Sequence, residues 1–211
     1  MARWDERIAQ TSYRYMRVSR ESGLETEVIR ALRGGRITRN LDTDIKESAE
    51  CPIVGGLSVG ADLVRIYMTC EWMGGETEEV VLGTFLPVVP GRSIRAGYST
   101  ATVRMYGRLQ ELVDDSFSAP VSVEAGAKAV DAARKVCEGC GLTVVSEPSD
   151  YKLSGTRCYG IGSDSATTSD TKLAMVNDLL SLAGFRAAYT DPMGRVIFEK
   201  YREPYAIAPS W

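Results

Sequence analysis

Ten consecutive residues limit what this chain can build. From Leu63 to Trp72 the side chains alternate, with Val64, Ile66, Met68, Cys70 and Trp72 on one face and Leu63, Arg65, Tyr67, Thr69 and Glu71 on the other. Period two over such a length describes a half-buried strand in an antiparallel sheet, because a helix would scatter those residues around its axis. Gly74-Gly75 supplies a turn, and Val80 to Leu86 reads as the returning partner. Glu76, Glu78 and Glu79 between them read as a solvated hairpin end.

The neighbouring sequence extends the same pattern. Tyr13 to Val18 is an extended segment followed by the turn-prone Glu21-Ser22-Gly23, and Glu27 to Leu32 is a second, ended by Gly34-Gly35. Ile37 to Ile45 is polar and β-compatible. Pro87 and Pro90-Gly91 are expected to break the chain. A further long strand is predicted beyond them, with Ala101, Val103, Met105 and Leu109 inward and Thr100, Thr102, Arg104, Tyr106 and Arg108 outward. It should kink at Gly107 or after Gln110 and run through Leu112-Val113 to Asp114-Asp115. Several strands with glycine turns predict a small barrel or sandwich.

The character changes near Ala119-Pro120. Ala127, Val130, Ala133 and Cys137 fall at helical spacing between Gly126 and Cys140, and Gly139 and Gly141 are natural stops. Thr143-Val144-Val145 is a short strand. Ser146 to Thr168 is polar and glycine-containing, and is expected to be mobile or ordered by a partner. Asp170 or Thr171 should cap a helix over Lys172 to Ala183, so apolar that its own sheet or another subunit must cover it on most sides. Gly184 ends it, and Asp191-Pro192-Met193-Gly194 is a β-turn leading to Val196-Ile197-Phe198. Tyr201 to Tyr205 reads as a strap over a surface.

Length and composition bound the function. The 211 residues suit one large domain or two small ones, and 25 basic against 28 acidic side chains leave a net charge of −3. There is no histidine, which removes Ser-His and Cys-His nucleophiles, histidine-ligated zinc and every imidazole acid–base scheme. A pI near 5.2 argues against a protein that grips nucleic acid by its phosphates, though not against one that nucleic acid must pass without sticking. No apolar run approaches the roughly 18 residues of a membrane span, and the start of the chain does not read as a signal peptide. Synthesis in the cytoplasm is the expectation.

The remaining chemistry is carboxylate, Ser-Lys or thiolate. Glu111, Asp114 and Asp115 cluster at an expected strand end, and Asp42 and Asp44 share a strand face, but nothing local raises their pKa values for acid–base work. Ser169 precedes Lys172 only as a cap and a first-turn lysine. Cys137 and Cys140 with Cys158 offer three thiolates where a closed zinc site takes four, and the pair falls at the wrong end of a helix for redox activation. Together with Cys51 and Cys70 they make an odd count, which reads as reduced, mostly buried thiols. Gly160-Ile161-Gly162-Ser163 lacks the spacing that cradles phosphates. Catalytic, cofactor-binding and metal-ligating residues are therefore expected to be absent.

Several stretches resemble bacteriophage tail-tip (baseplate) hub proteins. These are Gly35-Arg36-Ile37-Thr38-Arg39-Asn40 with Asp44 to Ala49, Leu63 to Tyr67 with Leu82 to Leu86, and Asp178 to Phe185 with Tyr189 to Gly194 and Tyr201 to Pro204. The resemblance runs patchily from Tyr13 to Tyr205. It implies an α+β, mainly β protein of tail-tube-like antiparallel β-barrel or sandwich modules with a small α/β insertion. Residues 1–120 would be the first module, 121–168 the insertion, and 169–211 a helix plus hairpin completing a second module. It further implies a non-enzymatic virion component at the tail tip, made in the host cytoplasm. Such a component forms a trimeric or otherwise symmetric ring of copies of itself. Its partners would be the distal-tail or tail-tube protein, the tape-measure protein, and tip and fibre proteins. DNA would pass through a neutral or acidic lumen without specific binding. No cofactor and no membrane insertion are implied; many such hubs continue into a peptidoglycan-cleaving or fibre-like extension, and the stop at Trp211 argues against an expectation of lytic activity.

Two other readings come from the residues. A carbohydrate- or peptidoglycan-binding β module would stack sugars on Trp4, Trp72 or Trp211, although Trp72 lies on the apolar face of its strand. A carboxylate hydrolase would need a pair of acids across a cleft.

Overall fold

In the computed structural model, which describes residues 8–54, 60–95, 98–160 and 171–203 with backbone alone over 89–100, the alternating segments form one large sheet. Its strands are β1 (Ile8–Val18), β2 (Glu25–Val28), β3 (Arg36–Arg39), β4 (Glu47–Ile53), β5 (Leu63–Trp72), β6 (Thr77–Arg95) and β7 (Tyr98–Gly107). The order across the sheet is β2-β1-β5-β6-β7-β4-β3, and every pairing is antiparallel. Tyr15, Cys51, Ile53, Val64, Ile66, Phe85, Val103 and Met105 point inward and, with Leu32 and Ala49, make its core.

Among the described residues the ladder does not close into a barrel. The segment after β2 spans the gap instead. Ile29 donates its backbone N–H to the Tyr15 carbonyl at 2.8 Å, while Val54 donates to Ala31 at 2.7 Å and Arg33 to Pro52 at 3.3 Å. A single bridge joins Leu32 and Ile53. The α+β, mainly β class holds, with an open sheet drawn round by one segment rather than a closed barrel.

Three local expectations are corrected. The prolines after Leu86 do not break β6; it continues to Arg95, with only a register shift between Val88 and Gly91. The reason lies in pairing. Beyond Phe85 the strand has left β5 and is bonded to β7 alone, so a missing N–H costs no ladder bond on the other edge. The strand through Leu112-Val113 is instead a short helix, α1 (Gln110–Asp114), because Leu109 and Leu112 are both buried at helical spacing. β5 is half-buried only over its second half. Leu63 and Arg65, on the face read as outward, are 2% and 5% exposed. Two elements were not anticipated as drawn: β4 as a separate strand, and a turn over 41–45 that cuts the run from Ile37 to Ile45 short.

Compactness divides the chain into Met1–Arg108 with Asp191–Gly194, and Leu109–Thr190 with Arg195–Trp211. The first division falls at 108/109, where the strand pattern gives way to α1. The second unit contains β8 (Val121–Val123), α2 (Ala129–Gly139), β9 (Val144–Ser146), β10 (Arg157–Tyr159), α3 (Lys172–Leu182), β11 (Tyr189–Thr190) and β12 (Val196–Phe198). β12 runs parallel to β9 and antiparallel to β11, and β10 pairs with β8.

Both longer helices stop by the same device. Leu142 donates its N–H to Cys137 at 3.0 Å and Gly141 to Glu138 at 2.9 Å; Phe185 donates to Leu180 at 2.9 Å and Gly184 to Ser181 at 3.0 Å. Gly141 and Gly184 take φ of 76° and 75°, the left-handed turn that closes the last carbonyls and costs a side-chain-bearing residue most. Thr171 is the cap of α3, its hydroxyl accepting the Ala174 N–H at 3.2 Å. The over-apolar helix is covered within its own unit: Leu173, Met175, Val176, Leu179 and Leu180 are buried, and α2 packs against it.

The stretch from Ser146 is ordered as far as Gly160 by its own anchors. Leu153 is buried, and Tyr159 is wholly so, with its hydroxyl donating to Asp178 at 2.7 Å. Residues 161–168 lie outside the described residues. At the tail, the Tyr201 N–H donates to the Gly184 carbonyl at 2.9 Å and Arg202 pairs with Glu147 at 2.8 Å; Pro204 and Tyr205 lie outside.

Candidate functional site

None of the acidic groups weighed from sequence converge on a cleft. Glu111 is buried at 4% exposure, Asp114 accepts a hydrogen bond from Gln110 Nε2 at 2.7 Å, and Asp115 pairs with Lys172 at 2.6 Å. Lys172 first, and then the Cys140 thiol, hold the Asp115 carboxyl below the usual carboxylate range, the opposite of what a general acid needs. Asp42 and Asp44 sit in the exposed turn before β4 rather than on one strand face.

Burial also raises three of the thiols. Cys137 is wholly buried and its thiol is pushed up to about 12 by burial; Cys51 is pushed up to about 11 for the same reason. Cys140 is raised by burial and by its hydrogen bond to Asp115. No group of three or more metal-ligating side chains gathers among the described residues. Ser169 and most of the Gly160 loop fall outside them. Trp72 is 3% exposed and belongs to the core, which withdraws it from sugar stacking; Trp4 and Trp211 lie outside the described residues. No helix among the described residues is long and apolar enough to cross a membrane.

What the first unit does build is a polar lattice on the second face of its sheet. Arg14 on β1 lies over the ring of Tyr67 on β5, 4.4 Å from its centroid, and grips Glu79 on β6 through two bonds of 3.2 and 2.6 Å. Arg65 donates to Thr84 at 2.9 Å, to Glu25 at 2.9 Å and to the Met193 carbonyl at 3.3 Å, while Thr84 donates to the Pro192 carbonyl at 2.9 Å. Burial alone would raise Glu25, but hydrogen bonds from Tyr67 and Arg65 outweigh it and leave the carboxyl low. Gly194, at φ 82°, leaves no room for a Cβ, which would meet Arg108 Cδ at 2.9 Å and Thr84 Cβ at 3.1 Å. The 191–194 turn thus caps Arg65, explaining why half of β5 is buried on both faces.

Around Tyr13 the surface is concave and basic. A cavity of about 230 Å³ is lined by Tyr13, Tyr15, Ile37, Ile66 and Leu82 among others, and a second of about 350 Å³ by Tyr13, Val28, Ile29, Arg30 and Arg33. Gly34-Gly35 lets the chain pass there: a Cβ on Gly35 would come within 2.6 Å of the Glu50 carbonyl and 2.7 Å of Cys51 Sγ. The sequence signal was the triplet spacing Arg30, Arg33, Arg36 and Arg39, which the strand reading alone did not single out.

No family model matches the sequence, and no curated protein matches it significantly. Solved structures do match in fold. The tail protein from Neisseria meningitidis MC58 superposes with a TM-score of 0.56 at 15% identity, over 88% of this chain and 50% of that one. The 43 kDa tail protein of prophage MuSo2 from Shewanella oneidensis gives 0.57 at 15% identity, over 90% and 54%. A chain of the Francisella PdpA–VgrG complex gives 0.54 at 7% identity, over 92% and 32%. This chain therefore spans about half the length of the two tail proteins. Its fold is that of these tail proteins.

Proposed function

We propose that the chain is a non-enzymatic structural component of a phage tail. Its role would be that of a hub or adaptor at the tail tip, joining the tail tube to tip and fibre proteins. The observation that carries this is the match of most of the chain to two tail proteins. The state of Asp115 accords with this reading: its salt bridge with Lys172 holds the carboxyl below the usual carboxylate range, the opposite of what a general acid needs. In this reading copies of the chain form a ring, trimeric or of other symmetry, next to the distal-tail or tube protein, and DNA crosses its lumen unbound. The tape-measure protein would end against the same ring. The chain would be made in the host cytoplasm and reside in the virion.

Imaging of intact particles carrying a tagged copy tests the location, with density at the tail tip as the expected result. Mass in solution tests the ring. A monomer retained on cell-wall polysaccharide, or turnover abolished by changing one Asp or Glu, would overturn the structural reading.

A further inference from the structure

The first unit carries two surface features of opposite charge, one hollow and one projecting. The first is the concave region around Tyr13, which is 50% exposed, beside Val28, also 50% exposed. Its rim holds Arg30, Arg33 and Arg36, all exposed and none with an ion-pair partner among the described residues. Unpaired arginines beside an apolar hollow are an incomplete arrangement, since the guanidinium fork binds carboxylates best in partly desolvated places.

The second feature is the β5–β6 hairpin end. The Trp72 N–H donates to the Glu76 carbonyl at 2.9 Å and the Gly75 N–H to the Trp72 carbonyl at 2.9 Å, which fixes a tight turn. Met73 stands out from it at 71% exposure. Glu71 and Glu78 flank it from opposite faces, since Glu71 pairs with Thr77 and Glu78 with Cys70 in the ladder. From Glu71 to Glu79 the chain has four acids and no base; from Ile29 to Asn40 it has four arginines and no acid.

We propose that the occupant of the concave region is the hairpin end of a second copy of this chain. Met73 enters the hollow beside Tyr13 and Val28, and Glu71 and Glu78 meet the arginines on its rim. Methionine suits such a hollow because its unbranched thioether adapts to irregular apolar walls. The two surfaces differ, so the contact is head-to-tail and each copy keeps one free knob and one free hollow. Repetition closes into a ring when the rotation permits, and otherwise continues as a filament. The inference rests on the reading that copies of the chain assemble with one another, and it names the surface they use.

Sedimentation of the purified chain over a concentration series tests it. Wild type should associate, and Arg33→Glu/Arg36→Glu and Glu71→Arg/Glu78→Arg should each weaken association about tenfold or more at moderate salt. Met73→Asp should do the same. An equimolar mixture of the two charge-reversed proteins should form mixed assemblies that neither forms alone, because the reversed rim of one faces the reversed knob of the other and the native knob of the first faces the native rim of the second. These side chains are at the surface, so an unchanged circular dichroism spectrum separates lost contact from lost folding. Equal association by wild type and all variants would overturn this surface while leaving assembly intact. A wild type that stays monomeric at every concentration would overturn the contact between copies, and particle imaging then decides the tail assignment separately.

Discussion

The two units handle polar groups in opposite ways. The second uses polar side chains as anchors to α3: Tyr159, at the end of β10, bonds Asp178, and Asn177 Oδ1 accepts the Ala188 N–H at 3.0 Å. The first spreads them over a sheet face as an ionic lattice, and among the described residues it leaves both outer strands, β2 and β3, exposed with one edge unpaired. An open sheet cannot satisfy its own edges, whereas a helix satisfies its backbone within itself.

The sharpest way to break this comparison is to empty each core. Phe85 is 0% exposed with its ring lying over Gly83, and Leu180 is likewise 0% exposed. Phe85→Ala should cost about 3–5 kcal/mol and Leu180→Ala about 2–5 kcal/mol. Hydrogen exchange should show lost protection first in the sheet for the former and in α2 and α3 for the latter. The reverse pattern would deny the units separate cores.

Arg65→Met comes next. It takes one hydrogen bond from each of Glu25, Thr84 and the Met193 carbonyl, and should cost about 2–3 kcal/mol in urea unfolding, less than a fully buried pair because Glu25 keeps Tyr67 and some solvent and Thr84 keeps the Pro192 carbonyl. A neutral result would show the lattice to be ornamental. Thr171→Ala, in the second unit, removes only a cap and should cost about 1 kcal/mol.

The smallest effect is in pH dependence, and its sign differs between two acids of the same sheet. Glu25 is lowered in the folded state, so its contribution is present above its ordinary 4.5 and is lost as pH falls through the folded value. Glu47 is raised by burial, with Arg39 opposing and Asp191 adding to the rise. Its charged form therefore costs stability near neutrality, and that cost disappears as pH falls through the raised value. Glu47→Gln should make the protein slightly more stable at pH 7 and leave it unchanged near pH 4. Thermal midpoints at the two pH values check this, and a loss of stability at pH 7 would reverse the sign.

Much of the fold was legible because its signals are local. The alternation at Leu63–Trp72, the glycine stops at Gly141 and Gly184 and the cap at Thr171 each depend on a few neighbours in sequence. The misread elements failed where a distant partner overrode the local rule. Pro87 looked like a breaker, yet β6 has only one partner there; Leu112 looked like strand, yet burial at helical spacing made it helix. Of the candidate assembly surface, the basic run from Arg30 to Arg39 was visible in the sequence, but the hollow it borders was not. That hollow exists only because β1 and the segment after β2 come together around Gly34-Gly35.

By itself the sequence determined a mainly β chain without imidazole chemistry, with strand and helix limits set by period, glycine and capping. Only the tertiary structure decided that β4 lies between β7 and β3, that the sheet stays open, and that Arg65 is buried. That last fact turns on a bond to a carbonyl 128 residues away. Periodicity reports which face of a segment is apolar; what covers the other face is a matter of chain closure, which no local pattern records.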